Sequence, residues 1–329
     1  MTILLLLVGL GLIVLGADWL VEGASSIARK AGVSEFVIGL LIVGFGTSCP
    51  ELVVSLTGAV EGNADMAVGN VIGSNVFNGL FILGLTALLR PVSMTAANRR
   101  EDIPLTLAIT AMFLLLGLHH SLLRTPGRDL LSRTDGALFL LLFVAYVIHS
   151  FRREKLSAKE RGGEAAGEVP GADAHGKVRP LSLAVLLLVA GLASLIFGGH
   201  LFVQKASELA RMVGVSDKFI AVTVLAGGTS LPELATSLVA TLKGKHQLAL
   251  GNILGSNVFN LLLILGSSAV ISPLSCASVT WVDAIVLLAS VAMMLLWAWT
   301  GQRDRIDRWE GALMLVLFGS YYIYLFATI

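Results

Sequence analysis

A polar motif occurs twice in this chain, each time inside a long apolar stretch. The segment GFGTSCPELVVSL at 44–56 is matched by AGGTSLPELATSL at 226–238, and GNVIGSNVFNGLFILG at 69–84 is matched by GNILGSNVFNLLLILG at 251–266. Both pairs are 182 residues apart, and residues 46–84 align with 228–266 without a gap. Unrelated segments would not match in this way, so the chain contains an internal duplication.

The composition indicates that these motifs lie in a lipid bilayer. The chain is 56% hydrophobic and 14% charged, whereas an ordinary soluble domain is roughly 25% charged. Its first apolar stretch lacks a basic leading region and a signal-peptide cleavage site, so we interpret it as a membrane span. We predict an all-α integral membrane protein with ten transmembrane helices, each near the spanning length of about 20 residues. The predicted spans are 2–22, 35–60, 65–89, 102–119, 134–151, 181–203, 217–242, 247–271, 279–299 and 309–327.

The positions of lysine and arginine predict the orientation. If the N-terminus faces outward, the inward loops hold most of the 23 basic residues, as expected for cytoplasmic loops. We therefore predict a multi-pass protein of the cell (inner) membrane with both termini outside. The net charge of +1 gives no reason to expect a nucleic-acid partner.

A polar break at 152–180, rich in Glu, Lys, Gly and Ala, predicts a flexible cytoplasmic linker between two halves. The first half, 1–151, contains the repeat motif 44–84, and the second half, 181–329, contains 226–266. With five spans in each half, the second copy must enter the membrane from the opposite side. The ten helices would therefore form two inverted-topology five-helix repeats, an architecture that places a binding site near the bilayer midplane.

The duplicated motifs supply oxygen atoms suited to cations. Pro50 and Pro232 cannot donate a backbone hydrogen bond, so they free carbonyl groups in the preceding turn. Hydroxyl, carboxylate and amide oxygens without imidazole or thiolate favour Ca²⁺ or Na⁺ over zinc or copper. Each copy carries these groups at helical spacing. They are Thr47, Ser48, Glu51, Ser74 and Asn78 in the first copy, and Thr229, Ser230, Glu233, Ser256 and Asn260 in the second.

The paired motifs GTSCPE/GTSLPE and GNVIGSNVFN/GNILGSNVFN resemble the α-repeats of the calcium/cation antiporter superfamily, most closely its sodium/calcium exchanger branch. The resemblance implies a secondary active antiporter, not an enzyme, that exchanges Na⁺ for Ca²⁺ by alternating access. Glu51 and Glu233 match the ion-binding glutamates, and the hydroxyl and amide residues named above match the remaining ligands. The carbonyl groups of Gly44 and Ala226 match the outermost backbone ligands. No cofactor is implied; the expected partners are the two ions and the bilayer, and we expect a monomer.

The resemblance leaves some alternatives open. Several relatives carry aspartate at one or both positions matched by Asn78 and Asn260, so stoichiometry and any role of K⁺ are not fixed. A proton/calcium exchanger is the second candidate, and a passive cation channel the third. An intramembrane hydrolase that uses Ser48 or Ser230 as nucleophile lacks a His or Lys base at a matching place.

Overall fold

The computed structural model describes residues 1–161, 179–212, 227–300 and 304–328, and most of them are helical. Four two-residue strands, β1 to β4, form two small antiparallel pairs. In chain order these strands are Val92–Ser93, Leu130–Leu131, Leu274–Ser275 and Arg305–Ile306. The helices are α1 (Thr2–Ala31), α2 (Glu35–Thr47), α3 (Cys49–Val60), α4 (Ala64–Leu89), α5 (Ile103–Gly117), α6 (His119–Leu123), α7 (Arg133–Arg161), α8 (Leu181–Met212), α9 (Leu231–Leu242), α10 (His246–Ile271), α11 (Trp281–Trp297) and α12 (Arg308–Thr328).

Each of the ten predicted spans coincides with helical structure, although the part of 217–242 before residue 227 lies outside the described residues. Within the described ranges, six helices are long and apolar enough to cross a membrane, and there are seven such spans if α2 and α3 are counted as one broken span. The remaining predicted spans correspond to the shorter helices α5, α9 and α11. The protein is therefore a largely helical membrane protein.

Proline breaks the helix where the sequence predicted a break. The α2 helix ends at Thr47, and α3 begins at Cys49 after a bend of 47°. Pro50 is the second residue of α3, where its missing N–H costs nothing because the first turn of a helix has no partner for it. Pro232 occupies the same place in α9. In both copies the proline therefore lies in the first turn of a helix.

The α7 helix continues past residue 152, where the linker was predicted to start. It extends to Arg161, and the remaining linker residues up to 178 lie outside the described part of the chain. A long-range contact lies near the start of this extension. The Glu154 carboxylate accepts hydrogen bonds from the backbone N–H of Ser34, at 2.8 Å, and from its hydroxyl, at 2.9 Å. This contact holds the end of α7 against the turn between α1 and α2.

The chain divides into two compact units that do not follow the two sequence halves. The first unit contains Met1–Pro50 and Val147–Gly255, and the second contains Glu51–Tyr146 and Ser256–Ile329. Each unit therefore takes segments from both copies of the duplication.

In the first unit, α1 and α8 pack against each other in antiparallel directions through close backbone contacts. A Cβ atom on Gly9 would lie 3.0 Å from the carbonyl oxygen of Gly198, and one on Gly16 would lie 2.8 Å from that of Gly191. A Cβ atom on Gly23 would lie 2.6 Å from the carbonyl oxygen of Ala184. As the residue number rises along α1, the number of its partner in α8 falls, which defines the antiparallel direction. Glycine is needed here because no side chain fits between the backbones.

In the second unit, each small strand of the first sequence half pairs with a strand of the second half. Strand β1, which follows α4, pairs with β4, which precedes α12. Strand β2, which precedes α7, pairs with β3, which follows α10. Two glycine contacts repeat this exchange, since a Cβ on Gly84 of α4 would lie 2.9 Å from Gly311 O of α12, and one on Gly136 of α7 would lie 2.7 Å from Gly266 O of α10.

Candidate ion-binding site

The first unit contains a buried polar cluster around Glu233, and we call it the Glu233 cluster. Its members are Thr47, Ser48, Glu233, Ser237 and Asn252, and all five are buried. Ser48 Oγ donates a hydrogen bond of 3.0 Å to Glu233 Oε1. Asn252 Nδ2 donates to Ser237 Oγ at 3.0 Å and to the Glu233 carbonyl oxygen at 3.4 Å. Thr47 Oγ1 lies 3.1 Å from Asn252 Oδ1. The Glu233 carboxylate therefore accepts a hydroxyl hydrogen bond within a buried network of hydroxyl and amide groups.

The second unit contains the matching Glu51 cluster, formed by Glu51, Ser55, Asn70 and Ser74. Ser74 Oγ donates to Glu51 Oε1 at 3.4 Å. Asn70 Nδ2 donates to Ser55 Oγ at 3.0 Å and to the Glu51 carbonyl oxygen at 3.2 Å. These two bonds from Asn70 repeat the two bonds that Asn252 makes in the other cluster. The duplication is thus preserved in the hydrogen bonds as well as in the sequence.

Both carboxylates are buried in the first turn of a helix. Glu51 and Glu233 are each 0% exposed, and each is in the first turn of its helix, α3 or α9. The positive end of the helix dipole lies at that turn and stabilises a nearby anion by about 0.3–2 kcal/mol. This gain covers only part of the cost of an ionised group at membrane depth, so such residues are typically functional.

Four asparagines form a third polar group within the second unit. Asn75 Nδ2 donates to the Asn257 carbonyl oxygen at 3.2 Å, and Asn78 Nδ2 donates to Asn257 Oδ1 at the same distance. Asn260 Nδ2 donates to Asn75 Oδ1 at 2.9 Å. Among the described residues, the side-chain oxygens of Asn78 and Asn260 accept no hydrogen bond although both are buried. These two equivalent amide oxygens are suited to a cation.

The backbone around these asparagines departs from the α-helical pattern. Asn78 lies in the π-helical segment Phe77–Ile82 of α4, and Asn260 lies in Phe259–Ile264 of α10. A π-helical turn inserts an extra residue into the helix and rotates the following side chains, and such turns are frequent at functional sites. The same irregularity thus occurs in both copies, at the residues predicted to bind ions.

The remaining predicted ligands differ in how they are placed. Ser230 and Ser256 are fully buried, whereas Thr229 is half-buried and its hydroxyl has no hydrogen-bond partner in the described ranges. The Gly44 carbonyl group accepts a hydrogen bond of 3.1 Å from the Ser48 N–H. Ala226 lies outside the described residues.

Sequence reasoning missed four residues that hold the clusters together. Asn70 and Asn252 fix the backbone of the two glutamates, and Ser55 and Ser237 receive their second bonds. The signal that could have found them is the duplication itself, because both pairs are identical in the two copies. Helical spacing also suggested that Ser48 would face Glu51 of the same segment. Because the chain bends after Thr47, Ser48 instead donates to Glu233.

Apolar helices of spanning length that bury carboxylate, hydroxyl and amide groups define an integral membrane protein of the ion-transporter class. Comparison with known families is more specific. The chain belongs to the sodium/calcium exchanger protein family, whose family model matches residues 1–152 and 183–327. It is therefore a membrane antiporter and not an enzyme.

Relatives match along nearly the whole chain. The protein CaxA of Alkalimonas amylolytica is 39% identical over 324 residues, covering 98% of each chain. The sodium/calcium exchanger MaX1 of Methanosarcina acetivorans is 32% identical over 344 residues, again with 98% of each chain covered. The structure of the sodium-calcium exchanger NCX_Mj soaked with 2.5 mM Na⁺ and 0.1 mM Ca²⁺ superimposes with a TM-score of 0.80 at 29% identity, covering 98% of this chain and 97% of that one.

Proposed function

We propose that this protein exchanges Na⁺ for Ca²⁺ across the cell (inner) membrane by alternating access. The observation that carries the proposal is the contact pattern around Glu51 and Glu233. In each case a serine hydroxyl donates to the buried carboxylate, and an asparagine donates to the backbone carbonyl oxygen of the glutamate. Its relatives include proteins named sodium/calcium exchangers, which agrees with these ions.

The architecture that we propose is ten transmembrane helices in two inverted-topology repeats with both termini outside. Three observations support it. The equivalent helices α1 and α8 run antiparallel, as inversion requires. The strand pairs β1–β4 and β2–β3 exchange partners between the copies. Irregular backbone occurs at equivalent places near the polar clusters, where membrane proteins tolerate it because it lines a protein cavity.

We propose that the ion ligands come from both copies. The two glutamates supply the charge, and hydroxyl, amide and backbone oxygens complete the coordination. Oxygen ligands of this kind suit the flexible coordination of Ca²⁺ and also accept Na⁺. The proposed ligands are Glu51, Glu233, Thr47, Ser48, Ser74, Asn78, Thr229, Ser230, Ser256 and Asn260, with the carbonyl groups of Gly44 and Ala226.

Charge counting explains why such a site would couple two ions. Without ions, Glu51 and Glu233 carry a formal charge of about −2, and moving net charge through the bilayer centre costs several kcal/mol. One Ca²⁺ or two Na⁺ would neutralise it. The empty protein would therefore change its access rarely, and net flux of one ion would need the other on the opposite side.

Transport of ⁴⁵Ca²⁺ into proteoliposomes tests the proposal. Vesicles loaded with Na⁺ should take up Ca²⁺ at least tenfold faster than vesicles loaded with choline at the same pH. Equal uptake in both would indicate a channel. Uptake driven by internal acid without Na⁺ would indicate the proton/calcium alternative, and either result would overturn Na⁺/Ca²⁺ exchange.

A further inference from the structure

The α9 helix carries a polar face that extends beyond the Glu233 cluster. Glu233, Thr236, Ser237 and Thr241 follow the spacing i, i+3, i+4 and i+8, which places them on one side of a helix. Each is at most 1% exposed. At a rise of 1.5 Å per residue, this face leads about 12 Å from Glu233 towards the end of the helix.

Two hydroxyl groups on this face differ from those of three buried threonines in other helices. Thr86, Thr106 and Thr110 each donate to the carbonyl oxygen four residues earlier in their own helix. The hydroxyl groups of Thr236 and Thr241 have no hydrogen-bond partner among the described residues. Buried hydroxyl groups are normally satisfied, and those without a protein partner are usually satisfied by water or an ion.

The first copy of the duplication lacks this polar face. Glu233 and Ser237 correspond to Glu51 and Ser55 of α3, which are identical residues. Thr236 and Thr241 correspond instead to Val54 and Ala59, which are apolar. A valine would fill nearly the same volume as Thr236 without a buried hydroxyl. Hydroxyl groups needed only to hold the ion would be expected in both copies. Because Thr236 and Thr241 occur in the second copy alone, their hydroxyl groups indicate a role on one side of the membrane.

The polar face ends at a turn that contains a buried ion pair. Gly244 adopts a φ of 77°, and the Lys245 N–H donates to the Ala240 carbonyl oxygen at 2.7 Å to close the helix. Lys245 Nζ lies 3.1 Å from Glu35 Oε1, and the two side chains are 10% and 1% exposed. A lone ammonium group here would repel an approaching cation, and the Glu35 carboxylate cancels its charge.

We propose that the Thr236–Thr241 face of α9 is a hydrated route by which cations reach Glu233 from the side of the membrane where the Lys243–Lys245 turn lies. Its ligands are water and partly hydrated Na⁺ or Ca²⁺. The route serves one side only, because the matching positions of α3 hold Val54 and Ala59, and its remaining hydroxyl residue beyond Ser55, Thr57, is exposed on another face. The inference rests on the transport function proposed above.

Cysteine accessibility tests the route without requiring transport. In a Cys49→Ala, Cys276→Ala background, Thr236→Cys and Thr241→Cys are treated with an impermeant, positively charged methanethiosulfonate on either side of sealed vesicles. Lys243→Cys reports the side of the turn, and Val54→Cys and Ala59→Cys are the matched controls from the first copy. We expect the cysteines at both threonine positions to react at least tenfold faster than the controls. They should react only when the reagent is on the side of the membrane from which Lys243→Cys is labelled.

Equal rates at the threonine positions and their controls, or reaction from the opposite side, would overturn the route. Because labelling does not depend on which ion drives exchange, the labelling rates test the route even if the protein does not exchange Na⁺ for Ca²⁺.

Transport gives a second measurement. The Thr236→Val, Thr241→Val double variant should lower the maximal Ca²⁺ flux about tenfold without changing equilibrium Ca²⁺ affinity, and the serine double variant should restore it. Unchanged flux in the valine variant would contradict the route.

Discussion

Glu51 and Glu233 show how much of a membrane site depends on single residues. Each carboxylate is fully buried, and each is approached by a serine and anchored through its backbone by an asparagine. A membrane protein keeps such groups at a cost of several kcal/mol, so their removal should affect function more than folding.

Replacing either glutamate by glutamine should abolish Ca²⁺ transport. Glu51→Gln and Glu233→Gln each remove about half of the proposed site charge while keeping the volume of the side chain. Proteoliposome flux of ⁴⁵Ca²⁺ should fall at least 100-fold, and size-exclusion profiles in detergent should match the wild type. Glu22→Gln is the matched control, because Glu22 is 30% exposed and pairs with Arg179 at 2.6 Å. Near-normal flux in either site variant would place the binding site elsewhere.

Cys276 should be inert to thiol reagents in the folded protein. It lies in the loop between α10 and α11, and burial raises the pKa of its thiol to about 12. Because the raised pKa keeps the thiol protonated, less than about 0.1% would be thiolate at pH 8. We expect no modification by N-ethylmaleimide between pH 7 and 9 until SDS unfolds the protein. A Cys49→Ala variant isolates the signal, and rapid labelling in the native state would contradict the prediction.

Candidate ligands are easier to single out in the sequence than the residues that hydrogen-bond to them. Pro50 and Glu51 were informative because proline and glutamate are rare in apolar spans, so composition alone singles them out. The Ser48–Glu233 bond links residues that are 185 positions apart, and no local spacing encodes such a contact. Asn70 was overlooked because its role is to bind the Glu51 backbone, which leaves no chemical signature of ion binding in the sequence.

At the scale of helices, the α1–α8 contact depends on glycine at fixed positions. A Cβ on Gly16 would lie 2.8 Å from the Gly191 carbonyl oxygen, and backbone atoms on both sides cannot move aside easily. The helices therefore touch along a line with no space for side chains.

Gly16→Leu should destabilise the protein by about 2 kcal/mol or more, because overpacking a close helix contact costs about 1–3 kcal/mol. Gly11 lies on the same helix, and a Cβ atom there would meet no atom of the described residues within 4 Å, so Gly11→Leu is the matched control. Unfolding in SDS–detergent mixed micelles measures the free energy of unfolding. Equal stability of the two variants would show that α1 and α8 can separate at little cost.

The buried Glu35–Lys245 pair should matter more for stability than the exposed Asp18–Lys243 pair. Lys243 Nζ lies 2.5 Å from Asp18 Oδ1, but the Asp18 and Lys243 side chains are 44% and 37% exposed. Removing one partner of a buried pair leaves a charge unpaired and costs about 3–5 kcal/mol, whereas exposed pairs contribute about 0–1 kcal/mol. Glu35→Gln should therefore lower the free energy of unfolding by about 3 kcal/mol, and Lys243→Gln by less than about 1 kcal/mol.

The same mixed-micelle measurement checks this comparison. A double variant, Glu35→Leu with Lys245→Met, should recover most of the lost stability, because it removes both charges together. If Glu35→Gln were as stable as Lys243→Gln, the pair would not be desolvated.

Helix positions followed from the apolar stretches, but helix irregularities did not. The break before Pro50 was predictable because proline has no N–H to donate, and Pro232 lies at the matching position of α9. The π-helical segments at Phe77–Ile82 and Phe259–Ile264 contain no residue that demands them. Asparagine side chains at and beside these segments hydrogen-bond between α4 and α10, a contact that only the folded chain reveals.

At the scale of the whole molecule, the proposed inverted repeat makes a prediction about which side of the membrane each terminus faces. Single cysteines added at the N-terminus and after Ile329 should be labelled by an impermeant maleimide on intact cells. Arg90→Cys, in the turn between α4 and β1, should be labelled only after the membrane is opened. The basic residues predict this orientation. Labelling of Arg90→Cys but not of the termini would reverse it.

The first unit joins segments that are far apart in the sequence, and this affects how the protein assembles during synthesis. Among the described residues, the close neighbours of Gly9, Gly16 and Gly23 of α1 lie in α8, and Ser194 Oγ donates to the Leu12 carbonyl oxygen across 182 positions of chain. At a synthesis rate of about 5–20 residues per second, α1 waits roughly 10–40 s in the membrane before that partner emerges from the ribosome. During this interval its exposed glycines can pair with any other small-residue helix nearby. Correct assembly is then a kinetic competition, and slow translation of the region before α8 should increase the fraction of chains lost to quality control.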